Sequence, residues 1–508
     1  MEHKKTVKRV TVSIEKKAVI GEIGENLMGS FLEHVGRAIY TGIYEENHIT
    51  ADEHGFRGDV LNLVRELQVP IVRYPGGNFV SGYRWQDGIG AKDQRPKRLE
   101  LAWRAIENNQ VGIDEFSCWA QKAGCDVIPT VNMGTGTAQD AADFVEYCNF
   151  PGGSYWSDIR IKNGVAEPYR YKYWCVGNEM DGNWQICHMP AAEYGRKANE
   201  AIKMMKWVDP TIQVTVAGSS ALEMPTFAEW DRIVLEHTYE MTDYLSLHRY
   251  YGFLPGRDDT SDYLHAYLNL DDFIASLIAT ADYVKAYKRS KKVMMLSIDE
   301  WNIWHQHQHT AEDYGWTSAA PILENHYDVK DALLFSGLMM TLINRADRVK
   351  IGCMAQLVNV IAPILTQVGG GVLKQTIFYP YLVGCRYIKG KALHSQVTGS
   401  LIETAYGDAA PVYTAAALDE ASGELTVFLL NPDPEAAEVS LSLAQFGTLT
   451  QIEHLCFGSQ DLEQKNTFEN PNAVVMHQLE KERPYQNEEK ILLDAYSFHV
   501  IRYQEALK

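Results

Sequence analysis

Short apolar runs alternate with longer helical patterns from about residue 27 to residue 357, and this alternation is the strongest constraint on the fold. Several runs are continuously apolar, as expected of parallel strands that are covered on both faces of their sheet. Strict alternation of eight strands with helices favours an α/β fold of the (β/α)8 (TIM) barrel type. The predicted strands are Asn26–Leu32, Pro70–Tyr74, Asp126–Asn132, Tyr171–Asn178, Thr211–Ala217, Asp243–His248, Lys292–Asp299 and Arg348–Asn359.

The segments between these strands carry helical signals. Asp59–Gln68 repeats apolar residues at the spacing of one helix face. Ala191–Val208 is rich in Ala, Lys, Glu and Met, which favour the helical state. Asp271–Lys288 begins with acidic residues and ends with basic ones, as the helix dipole prefers.

The sequence pattern changes after about residue 385. Glu424–Leu430, Ala437–Leu443 and Ala495–Tyr503 are rich in β-branched or aromatic residues and are separated by Asn-Pro, Asp-Pro and Gly turns. This pattern predicts a C-terminal antiparallel β-sandwich, jelly-roll-like in kind. Thr6–Ile14 also alternates and is expected to complete the sandwich. We therefore expect an N-terminal strand segment at 1–17, a catalytic barrel at 18–384 and a sandwich at 385–508.

The length and charge of the chain indicate its domain number and exclude some partners. A chain of 508 residues is too long for one ordinary hydrophobic core, so two domains are expected. The formal net charge of -19 disfavours nucleic acid and anionic membranes as partners. The N-terminus lacks the apolar stretch of a signal peptide, and the longest apolar run, Ala332 to Ile343, is too short to cross a bilayer. Eight cysteines without a Cys-x-x-Cys pair fit reduced thiols, so we expect a cytoplasmic protein.

Polar residues at the carboxyl ends of the predicted strands are the candidates for chemistry, because barrel active sites lie there. Glu179 ends the segment Tyr-Trp-Cys-Val-Gly-Asn-Glu at 173–179, and Glu300 lies in Leu-Ser-Ile-Asp-Glu-Trp-Asn at 296–302. Two carboxylates at one rim are what glycoside hydrolysis requires. The strand ends are rich in hydrogen-bonding groups and indoles and carry no cofactor signature, a mixture that suits sugars. They are Phe31-Leu32-Glu33-His34, 73–78, 178–181, 248–251, 299–304 and Gln356.

Five longer segments resemble the α-L-arabinofuranosidases of glycoside hydrolase family 51, within the clan that places its two glutamates after barrel strands four and seven. The resemblance spans almost the whole chain and is weakest in the sandwich. It is carried by Arg-Tyr-Pro-Gly-Gly-Asn-Phe at 73–79, Gly-Asn-Glu-Met-Asp-Gly at 177–182, Ser-Leu-His-Arg-Tyr-Tyr at 246–251, Asp-Glu-Trp-Asn at 299–302 and Ala-Gln-Leu-Val-Asn-Val-Ile-Ala-Pro at 355–363.

The resemblance implies a retaining, exo-acting enzyme that removes terminal arabinofuranosyl groups from arabino- and arabinoxylo-oligosaccharides. It implies Glu179 as the general acid/base and Glu300 as the nucleophile. It further implies that Arg73 and His248 orient or charge-balance the glutamates. Relatives are commonly hexamers, so a homo-oligomer is expected. The residues expected to hold the sugar ring are Glu33, Asn78, Asn178, Tyr250 and Gln356.

Several candidates also have a purely structural interpretation. Glu33 could pair with Arg37, and Gln356 could simply fill the barrel. Trp103 and Trp304 are candidates for stacking on sugar, and core packing is the alternative for both.

The histidines of His305-Gln-His307-Gln-His309 could share one face of an extended segment, which zinc would accept. No carboxylate or cysteine at a suggestive spacing completes such a site, so a loop at the pocket rim is the prediction and no metal or cofactor is expected. Three rival functions stay open at this point. They are another activity of the same clan, such as an endoglucanase or xylanase, a metal-dependent barrel hydrolase, and a non-catalytic sugar-binding protein.

Overall fold

A computed structural model describes residues 7–306, 309–480, 482–486 and 488–506. Eight parallel strands close into a barrel in which neighbours along the chain are neighbours in the sheet. The predicted (β/α)8 architecture is confirmed. The barrel strands, numbered one to eight in chain order, are Asn26–Phe31, Ile71–Tyr74, Asp126–Val131, Tyr173–Val176, Gln213–Val216, Tyr244–Tyr251, Met295–Ile303 and Val349–Ala355.

Two barrel strands run further than the sequence predicts. Strand six continues to Tyr251 and strand seven to Ile303. The pairing of these strands shifts register between Ser297 and Glu300 and then resumes, as a β-bulge allows. Glu300 therefore lies inside a paired strand, opposite His248, and not at the strand exit as the sequence suggested.

Barrel strand eight is shorter than predicted because the chain folds back after Ala355. Asn359 and Ile361 adopt φ values of 60° and 39°, which extended strands do not allow. Nδ2 of Asn302 donates to the main-chain oxygens of Ala355 and Ile361, both at 2.6 Å, and ties this fold-back to strand seven. The fold-back brings Gln356 to the open end of the barrel.

Helices cover the outside of the barrel. Helix Ala191–Val208 has the predicted bounds. The helix predicted from Asp271 starts earlier, at Tyr267, because Tyr267 and Leu270 add a buried apolar turn. The α-helices are Gly58–Leu67, Ile113–Ala123, Ala138–Asn149, Tyr155–Lys162, Ala191–Val208, Glu229–Thr238, Thr260–Leu264, Tyr267–Lys288, Ala311–Tyr314, Val329–Asn344 and Phe378–Tyr387, and the 3-10 helices are Asn78–Gly82, Trp85–Gly88 and Lys92–Gln94.

None of the helices in the described ranges combines the length and apolar character that a bilayer crossing requires. The eight cysteines are all free thiols, and Cys187 is the one that is exposed.

The second unit is a curled ten-stranded sheet. The predicted C-terminal sandwich of antiparallel strands is confirmed. The N-terminal strand lies inside this sheet, antiparallel to Lys391–Thr398 and parallel to Ala437–Ala444. Buried Val10, Val12 and Ile14 place one face of this strand in the sandwich core. The sheet strands are Lys8–Glu22, Lys391–Thr398, Tyr413–Asp419, Glu424–Asn431, Ala437–Ala444, Leu449–Gly458, His477–Glu480, Arg483–Pro484, Glu489–Leu493 and Ser497–Glu505.

The two units share a buried helix, Val329–Asn344. Thr341 Oγ1 lies 2.9 Å from the hydroxyl of Tyr413, and Nδ2 of Asn344 donates to the main-chain oxygen of Thr414 at 3.0 Å. These contacts fix the sheet against the barrel wall. The proposed division after residue 384 falls within the helix Phe378–Tyr387, and the one after residue 17 falls within the strand Lys8–Glu22.

Three two-stranded hairpins extend the loops. They pair Arg98–Glu100 with Ala105–Glu107, Ile364–Thr366 with Val372–Lys374, and Ile402–Thr404 with Gly407–Ala409. The first of these follows barrel strand two and reaches the open end of the barrel, where Ala102 and Trp103 line a cavity.

Candidate active site

A cavity of about 570 Å³ opens at the carboxyl ends of the barrel strands. Its size suits one or two sugar units, since ligand pockets commonly span about 300–1,000 Å³. Arg73, Asn178 and His248 are buried below it: Arg73 contacts Glu300, His248 contacts Glu179, and Asn178 accepts a hydrogen bond from Arg73. The predicted residues that line the cavity are Glu33, Asn78, Trp103, Glu179, Tyr250, Glu300, Trp304 and Gln356.

Glu179 and Glu300 meet across this cavity. One oxygen of each carboxylate and one ring nitrogen of His248 lie within 4.8 Å of one another. Carboxyl groups about 5–5.5 Å apart are typical of retaining glycosidases, whereas inverting enzymes separate them by about 6.5–9.5 Å. The side chains of Glu179 and Glu300 are 11% and 7% exposed, so both reach the cavity but neither is freely solvated.

A tight turn delivers Glu179 to the cavity. Gly177 adopts φ 83° at the end of strand four, and a Cβ there would lie 2.9 Å from the Cβ of Met133. Glu179 itself adopts φ 43°, a conformation that non-glycine residues seldom occupy. The turn redirects the chain at once, so that Glu179 projects over the barrel mouth.

Arg73 contacts Glu300, Asn178 and Asp299 with its three guanidinium nitrogens. Its Nη1 donates to Oε1 of Glu300 at 2.7 Å and its Nη2 to Oδ1 of Asn178 at 2.6 Å. Its Nε lies 3.5 Å from Oδ2 of Asp299. Burial acts to raise the pKa of Asp299, but the charge of Arg73, followed by His248, lowers that pKa to about 2. Asp299 is therefore a permanent anion that anchors Arg73.

His248 lies among three carboxylates. Its Nδ1 is 2.9 Å from Oε1 of Glu179 and 3.6 Å from Oε2 of Glu300, and its Nε2 is 3.5 Å from Oδ1 of Asp299. Burial acts to lower the pKa of His248, yet Glu300, Asp299 and Glu179 together hold that pKa well above its usual value. The ring is therefore a buried imidazolium that balances part of the negative charge.

Tyr250 completes the hydrogen bonding of Glu300. Its hydroxyl donates to Oε2 at 2.7 Å, while Arg73 occupies Oε1. Burial, followed by the charge of Glu300, raises the pKa of Tyr250 well above its usual value, so the hydroxyl stays a donor. Trp304 packs edge-on to Tyr250 with ring centroids 5.7 Å apart, and its Nε1 has no hydrogen-bond partner. Donors on both oxygens favour the anionic form of Glu300.

Glu33 faces the glutamate pair from strand one. Its Oε1 accepts from the main-chain N–H of Phe79 at 2.8 Å and from Nε1 of Trp103 at 2.9 Å. Burial raises the pKa of Glu33 to about 8 despite these two bonds. Because both donors occupy Oε1, the proton of the neutral carboxyl resides on Oε2. Gln356 holds the main chain here, accepting from the N–H of Glu33 at 2.9 Å.

The structural alternative for Glu33, a pair with Arg37, does not occur. Nε of Arg37 donates to Oε1 of Glu324 at 2.6 Å instead. Trp103 is fixed by its hairpin, where Glu100 accepts from the main-chain N–H groups of Ala102 and Trp103 at 2.8 and 2.7 Å. Trp103 is therefore a cavity residue held in place by hydrogen bonds.

Asn178 and Asn78 supply amides to the site. Since Asn178 accepts from Arg73 through Oδ1, its Nδ2 is the free donor, and this atom is buried without a partner. Asn78 begins the 3-10 helix Asn78–Gly82 and lines the cavity directly. Amide donors of this kind suit sugar hydroxyls.

The sequence analysis missed Trp184. Its Nε1 donates to Oε2 of Glu179 at 2.6 Å, and the residue is 47% exposed on the cavity rim. The only sequence signal was a tryptophan in the polar segment that follows Glu179. Glu223 was not predicted either; it pairs at 2.6 Å on the same rim with Arg249, which belongs to the predicted end of strand six.

The described histidines of the 305–309 tract contact different carboxylates. Nε2 of His305 lies 3.1 Å from Oδ1 of Asp331, and Nδ1 of His309 lies 3.6 Å from Oδ2 of Asp313. His307 lies outside the described residues. Within the described ranges, the group of side chains that could converge on a metal ion is Glu179, His248 and Glu300, whose polar atoms already pair with one another.

Two close carboxylates, a cationic floor and aromatic walls at the mouth of a (β/α)8 barrel define a glycoside hydrolase of the retaining kind. Residues 63–263 match a sequence model described as "Alpha-L-arabinofuranosidase 1 domain", and residues 299–497 match one described as "Alpha-L-arabinofuranosidase C-terminal domain".

Whole-chain comparisons agree. The chain is 48% identical to "Intracellular exo-alpha-(1->5)-L-arabinofuranosidase 1" of Bacillus subtilis (strain 168), across 92% of this chain and 94% of that one. It is 41% identical to "Exo-alpha-(1->6)-L-arabinofuranosidase" of Bifidobacterium longum, across 90% of each chain. A solved structure of a family 51 alpha-L-arabinofuranosidase from Bifidobacterium longum has a TM-score of 0.92 at 36% identity, across 98% of this chain and 100% of that one. The chain belongs to the α-L-arabinofuranosidases of glycoside hydrolase family 51.

Proposed function

We propose that this chain removes terminal non-reducing α-L-arabinofuranosyl groups by double displacement, with Glu179 as acid/base and Glu300 as nucleophile. The observation that carries these roles is the approach of their carboxylates to within 4.8 Å of each other and of His248. Family membership supports arabinofuranose as the sugar, and the carboxylate separation supports retention of configuration.

In the first step, Glu300 attacks the anomeric carbon while Glu179 gives its proton to the leaving oxygen. Arg73 and Tyr250 hold the attacking carboxylate, one on each oxygen, at 2.7 Å. These bonds orient the nucleophile before the substrate arrives. The bond from the anomeric carbon to the leaving oxygen breaks as the arabinosyl ester of Glu300 forms.

In the second step, Glu179 as an anion takes a proton from water, and the water oxygen displaces Glu300 from the anomeric carbon. Two inversions give net retention. His248 pairs with Glu179 through Nδ1 at 2.9 Å and compensates its negative charge in this step.

The remaining residues would bind the arabinofuranosyl ring. Glu33, neutral below about pH 8, offers an O–H donor, and Asn178 offers its unpartnered Nδ2. A donor beside the 2-OH gains strength as positive charge develops on the ring. Asn78 and Gln356 line the same space. Trp103 and Trp304 would cover the apolar faces of the bound sugars, as indoles commonly do.

Short arabino- and arabinoxylo-oligosaccharides in the cytoplasm are the proposed substrates, with α-1,5-linked arabinan fragments as the first choice. The support is the 48% identical Bacillus subtilis relative, which is an intracellular exo-α-(1→5)-L-arabinofuranosidase. Because a 41% identical relative carries an α-(1→6) name, linkage needs its own test. Rates on α-1,2-, α-1,3-, α-1,5- and α-1,6-linked disaccharides would rank the linkages. A homo-oligomer, hexameric by family resemblance, is proposed alongside and is tested by sedimentation.

Proton NMR of the first product formed from a defined arabino-oligosaccharide tests the proposal, because it reports the sugar, the linkage and the anomer together. We expect α-L-arabinofuranose first, before mutarotation. The β anomer as first product would overturn the assignment of Glu300 as nucleophile. Faster hydrolysis of nitrophenyl xyloside or cellobioside than of the nitrophenyl arabinofuranoside would favour the rival activities of the clan.

Two further controls address the other rivals. Full activity after exhaustive chelation excludes a metal-dependent hydrolase. Wild-type turnover distinguishes an enzyme from a sugar-binding protein. In Glu179→Ala, an enzyme should lose turnover while it still binds arabino-oligosaccharides.

A further inference from the structure

Both oxygens of the Glu179 carboxylate have hydrogen-bond partners within the chain. Oε1 faces Nδ1 of His248 at 2.9 Å, and Oε2 accepts from Nε1 of Trp184 at 2.6 Å. A carboxyl group that is to protonate a glycosidic oxygen must present one of its oxygens to the substrate. One of these two partners therefore has to leave before the first step.

The two partners differ in their freedom to leave. His248 is buried and is held by Asp299 on its other nitrogen at 3.5 Å. Trp184 is 47% exposed, and Nε1 carries its only hydrogen-bonding group. Trp184 is therefore the partner that the substrate can displace from Glu179.

The main chain that carries Trp184 is anchored, so the movable part is its side chain. The next residue, Gln185, is buried, and its Nε2 donates to Oγ of Ser81 at 2.5 Å. The main-chain N–H of Met189 donates to the oxygen of Met180 at 3.2 Å and closes the base of the same loop. Rotation about the side-chain bonds of Trp184 would release Glu179 without moving the loop.

Gly182 makes room for the indole in its present position. A Cβ at Gly182 would lie 2.4 Å from Cε2 of Trp184. The φ of Gly182 is not in the left-handed region, so alanine is compatible with the backbone there, and the three atoms nearest to its Cβ would all belong to the indole of Trp184. The absence of a side chain at Gly182 therefore leaves the space that the indole occupies.

The leaving sugar is attached to the oxygen that Glu179 protonates, so it must lie on the Glu179 side of the cavity. Trp184 lines the cavity and contacts Glu179 directly. An exposed indole offers a flat apolar face of the kind that covers sugar C–H groups.

Resting on the proposed role of Glu179, we propose that Trp184 is a two-position side chain that caps the acid/base in the empty enzyme and becomes the platform for the leaving sugar when substrate binds. Departure of the indole N–H frees Oε2 to take up a proton from solvent, this O–H donates to the glycosidic oxygen, and the released ring covers the leaving sugar. Trp184 thereby couples release of the acid/base to the presence of a sugar leaving group.

The test compares two substrates that both need acid catalysis. An α-1,5-linked arabinotriose carries a leaving sugar, whereas methyl α-L-arabinofuranoside carries none. For Trp184→Ala we expect kcat/KM on arabinotriose to fall at least about tenfold, mainly through KM, and kcat/KM on the methyl glycoside to change less than about threefold. Trp184→Phe keeps an apolar face and should stay within about threefold on both substrates.

Gly182→Ala displaces the indole without removing it and should reproduce the loss on arabinotriose. Equal losses on both substrates in Trp184→Ala would make Trp184 a positioning residue for Glu179 and overturn the platform. No loss on either substrate would overturn it as well, as would a Trp184→Phe variant that behaves like Trp184→Ala.

Failure of the proposed function is seen separately, because the wild-type enzyme would then hydrolyse neither arabinofuranoside. Circular dichroism and thermal unfolding of each variant distinguish a folding defect from a loss of substrate binding.

Discussion

His248 and Glu179 form an ion pair beneath the cavity, with Nδ1 2.9 Å from Oε1 of the carboxylate. The same ring nitrogen lies 3.6 Å from Glu300, and the other nitrogen lies 3.5 Å from Asp299. One buried cation therefore faces Glu179, Glu300 and the anchor of Arg73 at once. The proposed catalytic pair and the charges around it form a single network.

Replacing His248 with glutamine should remove the charge while keeping a hydrogen-bond donor. We expect kcat/KM to fall by about 10²-fold, because a preorganised charge in a buried site is worth several kcal/mol of transition-state stabilisation. Steady-state kinetics on nitrophenyl and methyl arabinofuranosides would measure the loss. A loss below about threefold would show that charge at this position does not matter.

The stability lost in His248→Gln should decrease as pH rises. The pKa of His248 is raised on folding, so its ion pairs contribute their full stability below about pH 6.5 and lose it as pH rises through the raised pKa. The difference in unfolding free energy between wild type and His248→Gln should be flat below about pH 6.5 and shrink above it. Urea unfolding at several pH values measures this, and a difference that grows with pH would contradict it.

The loss of activity in Glu179→Ala should be larger for substrates whose leaving group needs protonation. We expect kcat/KM to fall by about 10²–10⁴-fold on methyl arabinofuranoside and much less on the dinitrophenyl glycoside, whose leaving group needs no proton. Azide should restore turnover by attacking the arabinosyl ester of Glu300 and should give the α-arabinofuranosyl azide in place of free arabinose, since two inversions again give net retention. Glu300→Ala, as the contrast, should be inactive on both substrates. Equal losses on both substrates for Glu179→Ala would remove its assignment as acid.

Tyr250→Phe should weaken the nucleophile and leave the acid alone. The variant loses the hydroxyl that donates to Glu300 Oε2 at 2.7 Å, and a lost donor of this kind costs roughly 10- to 10³-fold in rate. Because the nucleophile acts on every substrate, the loss should be the same for good and poor leaving groups. A Brønsted plot of rate against leaving-group pKa would keep its slope, and a steeper slope would reassign Tyr250 to the acid.

Much of this site follows from sequence because parallel barrel strands bring their carboxyl ends to one rim. Glu179 and Glu300 could be paired from strand counting, although strand seven continues through Glu300 because of a register shift that no periodicity reveals. Trp184 could not be placed, since its position depends on a contact between Gln185 and Ser81, which are 104 residues apart in the chain. Loops of this kind are positioned by tertiary contacts and carry weak local signals.

The N-terminal strand illustrates the same limit in the fold. Alternation in Thr6–Ile14 predicts a strand with one buried face, and Val10, Val12 and Ile14 are buried. Thr6 lies outside the described residues. The parallel pairing with Ala437–Ala444 depends on which neighbour the strand meets, and side-chain alternation is the same for parallel and antiparallel strands.

Ionisation of Glu33 and of Asp299 should change the free energy of unfolding in opposite directions as pH rises. Burial raises the pKa of Glu33 to about 8, so folding becomes less favourable as pH rises from about 4.3 toward 8 and the buried carboxyl must ionise. Glu33→Gln cannot ionise, so its unfolding free energy relative to wild type should increase over this range, by up to about 4 kcal/mol.

Asp299→Asn is the matched control with the opposite sign. The pKa of Asp299 is lowered to about 2 on folding, so its stabilising contribution is present above about pH 3.9 and is lost as pH falls toward 2. The variant should therefore be destabilised at neutral pH and approach wild type in acid. Urea unfolding between pH 3 and 9 would test both variants together. A Glu33→Gln curve parallel to wild type between pH 5 and 8 would show that Glu33 is already ionised in the folded enzyme, and that it meets the sugar as an acceptor and not as a donor.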